Sequence, residues 1–173
     1  MKIAKITTSL GMTLGLAMGA HAADQGHGQV NFHGFIIEAP CSIVFESISQ
    51  SVDLGLVATV SLQKSGESTP VPFSLKLEHC VLDAENGSSL ASVSFTGDAS
   101  TNSDLLKIVG EGQGAGIAIA KDGNDIKLGT ASVGQEMVNG DNVLNFTARL
   151  IGDSDNVTPG EYTAIANFAM SYE

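Results

Sequence analysis

The chain has no tryptophan, two tyrosines, two cysteines and four prolines, and only eight lysines and arginines against 19 acids in 173 residues. Each scarcity excludes something. A formal charge of −11 leaves no basic patch to displace counterions, which excludes nucleic acid as a partner and disfavours an anionic membrane surface. So few aromatics offer little for a sugar ring to stack on, which argues against a glycoside hydrolase. Cys41 and Cys80 are far from the close C-x-x-C spacing of a redox pair. Charged residues are 16% and apolar residues 43%, so the chain is not a disordered acidic tail. What it has in quantity is glycine, 20 residues of it.

The first 22 residues read as a secretory signal peptide and leave the fold argument. Lys2 and Lys5 precede a short apolar core from Leu10 to Met18, and Ala20-His21-Ala22 fits the small-x-small cleavage rule. The core is too short and glycine-rich to span a membrane, and no later run approaches 18 apolar residues. Cleavage after Ala22 leaves six basic residues against 19 acids and exports the rest. In an exported chain an even pair of cysteines forms a structural disulfide, so Cys41 and Cys80 are expected to be bonded.

The period is two wherever one can be read. From Phe35 to Phe45 the odd positions are apolar, and from Val71 to Leu77 they alternate with Pro72, Ser74 and Lys76. Cys80 falls out of phase with that face, so a bulge near His79 is required for it to reach Cys41. Shorter strands are predicted at Ala91–Thr96, Gly116–Ala120 and Asp125–Leu128, the last two flanking an Asp122-Gly123 hairpin turn. Asn142–Leu150 puts Leu144, Phe146, Ala148 and Leu150 on one side, and Glu161–Glu173 reads as one long alternating strand. Leu82–Ser89 and Gly152–Gly160 read as polar loops. With no helical stripe, the class is all-β, a sandwich rather than a barrel with a ligand cavity.

Motifs that would carry chemistry fail. Gly110–Gly116 lacks the Lys-Ser/Thr ending of a phosphate loop, and a strand follows it where a helix should begin, so it reads as a flexible loop. His27, His33 and His79 lack metal-ligand spacing, Asp122–Asp125 lacks the calcium-loop pattern, and no G-x-S-x-G occurs. No cofactor, metal or catalytic residue is expected. The chain ends are what stand out. The exported chain opens polar and glycine-rich, with Gly28, Val30, Phe32 and Gly34 alternating. At the other end an apolar alternating strand runs to the last residue, a hazard unless another strand covers it.

Here the residues resemble a known family. The run from Gly28 through Ala39-Pro40-Cys41 to Ile43, the second-cysteine strand Pro72–Cys80, and the ending Gly160–Glu173 with its penultimate tyrosine are similar to the pilins of chaperone–usher fimbriae. The Ala23-Asp24-Gln25-Gly26-His27-Gly28 start looks closest to rod subunits of mannose-resistant, Proteus-like fimbriae. The resemblance implies an incomplete immunoglobulin-like sandwich of six strands, completed by a donor strand from a chaperone or a neighbouring subunit. It implies a signal peptide at 1–22, a donor-strand extension at 23–34 and a pilin domain at 35–173. Gly28, Val30, Phe32 and Gly34 would be the donor. Gly160, Tyr162, Ala164, Ala166, Phe168, Met170 and Tyr172 would form the acceptor groove, with the Glu173 carboxylate as the chaperone's anchor. The implied partners are a periplasmic pilus chaperone, an outer-membrane usher and copies of itself or other pilins in a linear polymer. The destination is the fimbrium on the bacterial surface, used in adhesion. A minor, terminating or carbohydrate-binding adhesin subunit is the alternative within the same system.

Overall fold

We describe residues 28–34, 36–82 and 90–173 from a computed structural model. The signal-peptide reading, residues 23–27, Phe35 and most of the Leu82–Ser89 loop lie outside the described residues. The chain falls into two units, one ending at Ile36 and the other spanning Ile37–Glu173. In the first, residues 28–34 and 36 have no regular secondary structure.

The second unit is built of short strands: β1 Ser42–Ile43, β2 Val71–Cys80, β3 Leu90–Thr96, β4 Leu106–Lys107, β5 Val109–Gly110, β6 Ala115–Lys121, β7 Asn124–Ile126, β8 Gln135–Glu136, β9 Gly140–Gly152, β10 Tyr162–Thr163 and β11 Asn167–Tyr172. Two single helical turns, α1 Phe45–Ile48 and α2 Thr59–Leu62, interrupt the segment before β2. One sheet has the order β1-β2-β9-β6-β4 with β7 added on β6; another has β11-β3-β8; β10 and β5 form a ribbon of their own. All ladders are antiparallel.

Alternation explains which faces meet. Leu75 and Leu77 of β2, Leu144, Phe146, Ala148 and Leu150 of β9, and Val93 and Phe95 of β3 are all buried. Phe73 and Phe146 stack at 5.5 Å, and both meet Phe95 of the facing sheet edge-on at 6.2 and 5.2 Å. Those three rings join the two layers, in the offset and T-shaped geometries aromatic quadrupoles favour. This is the predicted sandwich, with an open edge described below.

Cys41 and Cys80 are bonded, linking the segment before β1 to the end of β2. The register between β2 and β9 slips between Leu77 and Cys80, and His79 takes a φ of 54°. The extra residue turns the cysteine back onto the buried side, as its phase required. The Asp122-Gly123 hairpin has φ of 52° and 78° at its two central residues, the left-handed pair that matches strand twist.

Three expectations need correction. Phe35–Phe45 is not a strand: only Ser42–Ile43 pairs, Ile37 and Phe45 are exposed, and Phe35 lies outside the described residues. Pro40 has no N–H to give, and the chain leaves the sheet at Val44, whose N–H is the last to reach β2, at Lys76. The final segment is not one strand either. β10 pairs β5 and β11 pairs β3, so Ala164–Ala166 carries the chain from one ladder to another, and Ala166 is exposed. Finally, Gly110–Gly116 is not a free loop. A Cβ on Gly110, Gly112 or Gly114 would stand 2.2, 2.7 or 2.3 Å from the carbonyl oxygens of Glu161, Gly160 and Asn156. Glycine there lets two backbones touch.

The disulfide closes a 39-residue separation, and its loss should cost about 4 kcal/mol, a large part of a domain's margin. Cys41→Ser should lower the unfolding free energy by that amount, read as a fall in the chemical unfolding midpoint, and unreduced denatured wild type should not react with a thiol reagent. An unchanged midpoint would show that the link carries no stability.

Candidate functional site

The site is a missing strand. β11 is an edge strand whose one strand neighbour among the described residues is β3. Its register fixes which backbone groups are left over. Glu173 and Leu90 exchange both main-chain bonds at 2.9 Å, so Asn167, Ala169, Ser171 and Glu173 turn their amides and carbonyls toward β3. Phe168, Met170 and Tyr172 therefore point theirs away, along the open edge. The side chains of the same three residues are half-buried and pack on the main core.

Beside that edge runs an apolar groove of about 1430 Å³, larger than the roughly 300–1,000 Å³ of a small-ligand pocket. Its floor is the sandwich core itself: Phe73 and Leu75 of β2, Phe95 of β3, and Leu150 of β9. One lip is Gly160–Phe168. The other is Ser49–Ala58, a segment in no sheet, with Val52, Leu54 and Val57 half-buried along it. Gly55 has a φ of 71°, and its N–H donates to Asp53 Oδ1, which turns Leu56 outward. The lips run in opposite directions: Ile43 packs in the cluster of Phe168, Met170 and Tyr172, whereas Leu54 and Val57 pack with Tyr162. A guest strand would be parallel to one lip and antiparallel to the other.

The end of the groove near Tyr162 is held by the glycine contacts described above. Glu161 O accepts from the amides of Glu111 and Gly112, and Thr158 and Gln113 exchange both bonds. The lining carries only two charged residues, Asp53 and Glu161. Burial pushes the Tyr162 phenol up from its ordinary value, and Asp53 adds to it; burial raises Tyr172 as well.

Of the residues expected in the groove, Gly160, Tyr162, Ala164, Ala166 and Phe168 line it; Met170 and Tyr172 pack on the core beyond it, and Glu173 lies at the end of β11. Sequence reading missed the Ser49–Ala58 lip, whose Val52 and Leu54 alternate for too short a run before Gly55. It also missed Ile36. Val30, Phe32 and Ile36 share one parity, and all three are exposed, at 73%, 91% and 104%. Among the described residues nothing lies within 4 Å of where a Cβ on Gly28 or Gly34 would stand, and neither has a positive φ. Contacts among the described residues thus give no reason for glycine at either position. Among the described residues no group of three His, Cys, Asp or Glu could hold a metal ion.

Comparison with known proteins agrees with this geometry. The model of the family "Fimbrial protein" matches residues 30–173. The chain is 44% identical to the Fimbria A protein of Serratia marcescens and 40% identical to the Major MR/P fimbria protein of Proteus mirabilis, covering all of both chains in each case. A chain in the structure of a chaperone–usher pilus superposes with a TM-score of 0.75 at 31% identity, over 86% of this chain and 97% of that one. The P pilus rod subunit PapA gives 0.70 at 29% identity, over 78% of this chain and all of that one.

With no tryptophan and two tyrosines, alkaline absorbance reports Tyr162 in the groove and Tyr172 on the core beyond it. Both phenols should ionise above the ordinary 10.0, and Asp53→Asn should lower Tyr162 while leaving Tyr172. Ionisation of both at the ordinary value would contradict their burial.

Proposed function

The chain belongs to the fimbrial protein family, and on that premise we propose that it polymerises by inserting its own residues 28–36 into the groove of the next copy. It is a structural subunit of a chaperone–usher pilus and not an enzyme. The observation that carries the mechanism is the open main-chain edge of β11, which at Phe168 adjoins an apolar trench open to the core. Backbone groups facing such a trench need partners, and an added strand supplies them while its alternate side chains fill the floor.

The donor is the exposed alternating set Val30, Phe32 and Ile36, with Gly28 and Gly34 in phase. Each of the three side chains contributes about 1.5–3 kcal/mol when fully buried. Glycine at 28 and 34 permits close approach where the floor stands high. Before assembly the same groove would take a strand from a periplasmic pilus chaperone, with the Glu173 carboxylate as its anchor. An outer-membrane usher would then exchange that strand for the next subunit's extension. Residues 1–22 would be the signal that brings the chain to the periplasm. Because the relatives cited are fimbrial proteins matched end to end, we assign the chain to the rod of its fimbrium, which reaches the bacterial surface and serves adhesion.

The test is a pair of variants expressed with the matching chaperone and usher. Deleting Ala23–Phe32 leaves the groove intact, so the subunit should accumulate with its chaperone. It should give no heat-labile, detergent-resistant ladders on gels. Phe168→Asp should fail earlier, at chaperone capture, because an unpaired charge in the trench costs several kcal/mol. Unchanged ladders in the deletion would show that the extension is not the donor.

A further inference from the structure

The two ends of the Ile37–Glu173 unit each expose apolar side chains, and the ends are distinguishable. β9 runs from Gly140, which pairs with Cys80, to Gly152, which pairs with Ala115. At the disulfide end Val81 donates its N–H to Pro40 O, and Leu82 donates to Asn139 Oδ1. Ile37, Val81 and Val138 are exposed there, at 63%, 76% and 62%. At the opposite end Leu62, Ala115 and Leu150 pack with Leu54, Val57 and Tyr162. Around that cluster Leu56, Val60, Val109 and Ile165 are exposed, at 105%, 70%, 59% and 78%.

We propose that these two patches are one interface: the disulfide end of each subunit packs on the Val60–Val109 end of the copy whose groove it fills. The proposal rests on the donor reading above. Its second support is the tether. From Ile36 to Cys41, which the disulfide ties to β2, there are five residue steps, at most about 18 Å of extended chain. A donor seated up to Ile36 therefore holds its own disulfide end against one end of the acceptor's groove.

Geometry selects the end. If Ile36 lay at the Tyr172 end, near the acceptor's disulfide, each disulfide end would have to hold two neighbours at once. With Ile36 at the Tyr162 end each end meets one neighbour, and the contact repeats without closing, as a linear filament requires. The donor then runs antiparallel to β11 and parallel to the Ser49–Ala58 lip. The acceptor patch is continuous with the groove, since Leu56 and Ile165 belong to its lining.

The variants avoid the groove lining. Val81→Lys with Val138→Lys charges the donor end, and Val60→Glu with Val109→Glu charges the acceptor end. Two readouts are used: entry of a synthetic peptide of residues 28–38 into the groove of the chaperone-released subunit, and the dissociation rate of assembled ladders at fixed temperature. The peptide has no body, so it should enter all variants at the wild-type rate. Ladders of either charged pair should dissociate roughly tenfold faster, and a chain carrying all four substitutions should recover. Should the lysine variant fail to accumulate, Val81→Thr with Val138→Thr keeps the branched side-chain shape and should still weaken the ladder. Normal peptide entry with wild-type ladder lifetimes in every variant overturns the end-to-end contact alone. A peptide that cannot enter the wild-type groove overturns the donor reading, and this contact with it.

Discussion

Everything in this molecule turns on one row of main-chain groups. In β11 the amides and carbonyls of Phe168, Met170 and Tyr172 face an edge that no described strand covers, while their side chains reach the core. A buried amide without a partner costs about as much as a lost hydrogen bond, and an uncovered edge recruits another strand. The domain therefore cannot be both finished and alone. Its stability and its capacity to polymerise are the same unmet requirement.

Elsewhere the fold deals with its edges locally, and the contrast is informative. Ser132 Oγ accepts the Val93 N–H on the far side of β3, Ser68 Oγ accepts the Leu150 N–H, and Ser47 Oγ accepts the Lys76 N–H. All three serines are buried, each standing in for a ladder bond no neighbouring strand supplies. On the outer face Arg149 of β9 grips Asp125 with two nitrogens, at 2.7 and 3.0 Å, and Glu67 with a third at 2.6 Å. That planar fork ties β7 and the segment before β2 to the central strand. No buried side-chain nitrogen or oxygen among the described residues lacks a partner. Against this background the bare edge of β11 is a specific opening.

What was legible in the sequence is what a period of two can encode. The inward faces of β2 and β9, the Asp122-Gly123 hairpin and the bulge at His79 all follow from alternation or from a break in it. The open groove was half legible: phase set Tyr162 and Phe168 on one face of the alternating C-terminus, and the family resemblance made that face a groove lip. The other lip was not, because Ser49–Ala58 forms no ladder and Gly55 breaks its phase after three residues. Alternation also over-reads. Phe35–Phe45 has a nearly pure apolar face, yet pairing stops at Ile43 because hydrogen bonds, not parity, make a strand. Ala166 keeps the right parity and is still exposed, because the chain is changing ladders there.

Glycine shows where reading a single chain reaches its natural end. Gly123 and Gly140 are glycine for a positive φ, at 78° and 93°, with open space around them. Gly110, Gly112 and Gly114 are glycine because another strand of backbone lies where a Cβ would go, and that contact holds the groove's Tyr162 end. Gly28 and Gly34 meet neither condition. Glycine is the residue that loses most conformational freedom when the chain is ordered, so it is a poor choice for an extended segment with room for a side chain. On the donor reading proposed above, the reason is a surface outside the chain that the backbone approaches more closely than a methyl group would allow. The groove of another copy is such a surface, and the exposed Val30, Phe32 and Ile36 in the same phase carry the apolar area to match it. The proposed contact between two copies would account together for these two glycines and for the edge of β11 that no described strand covers.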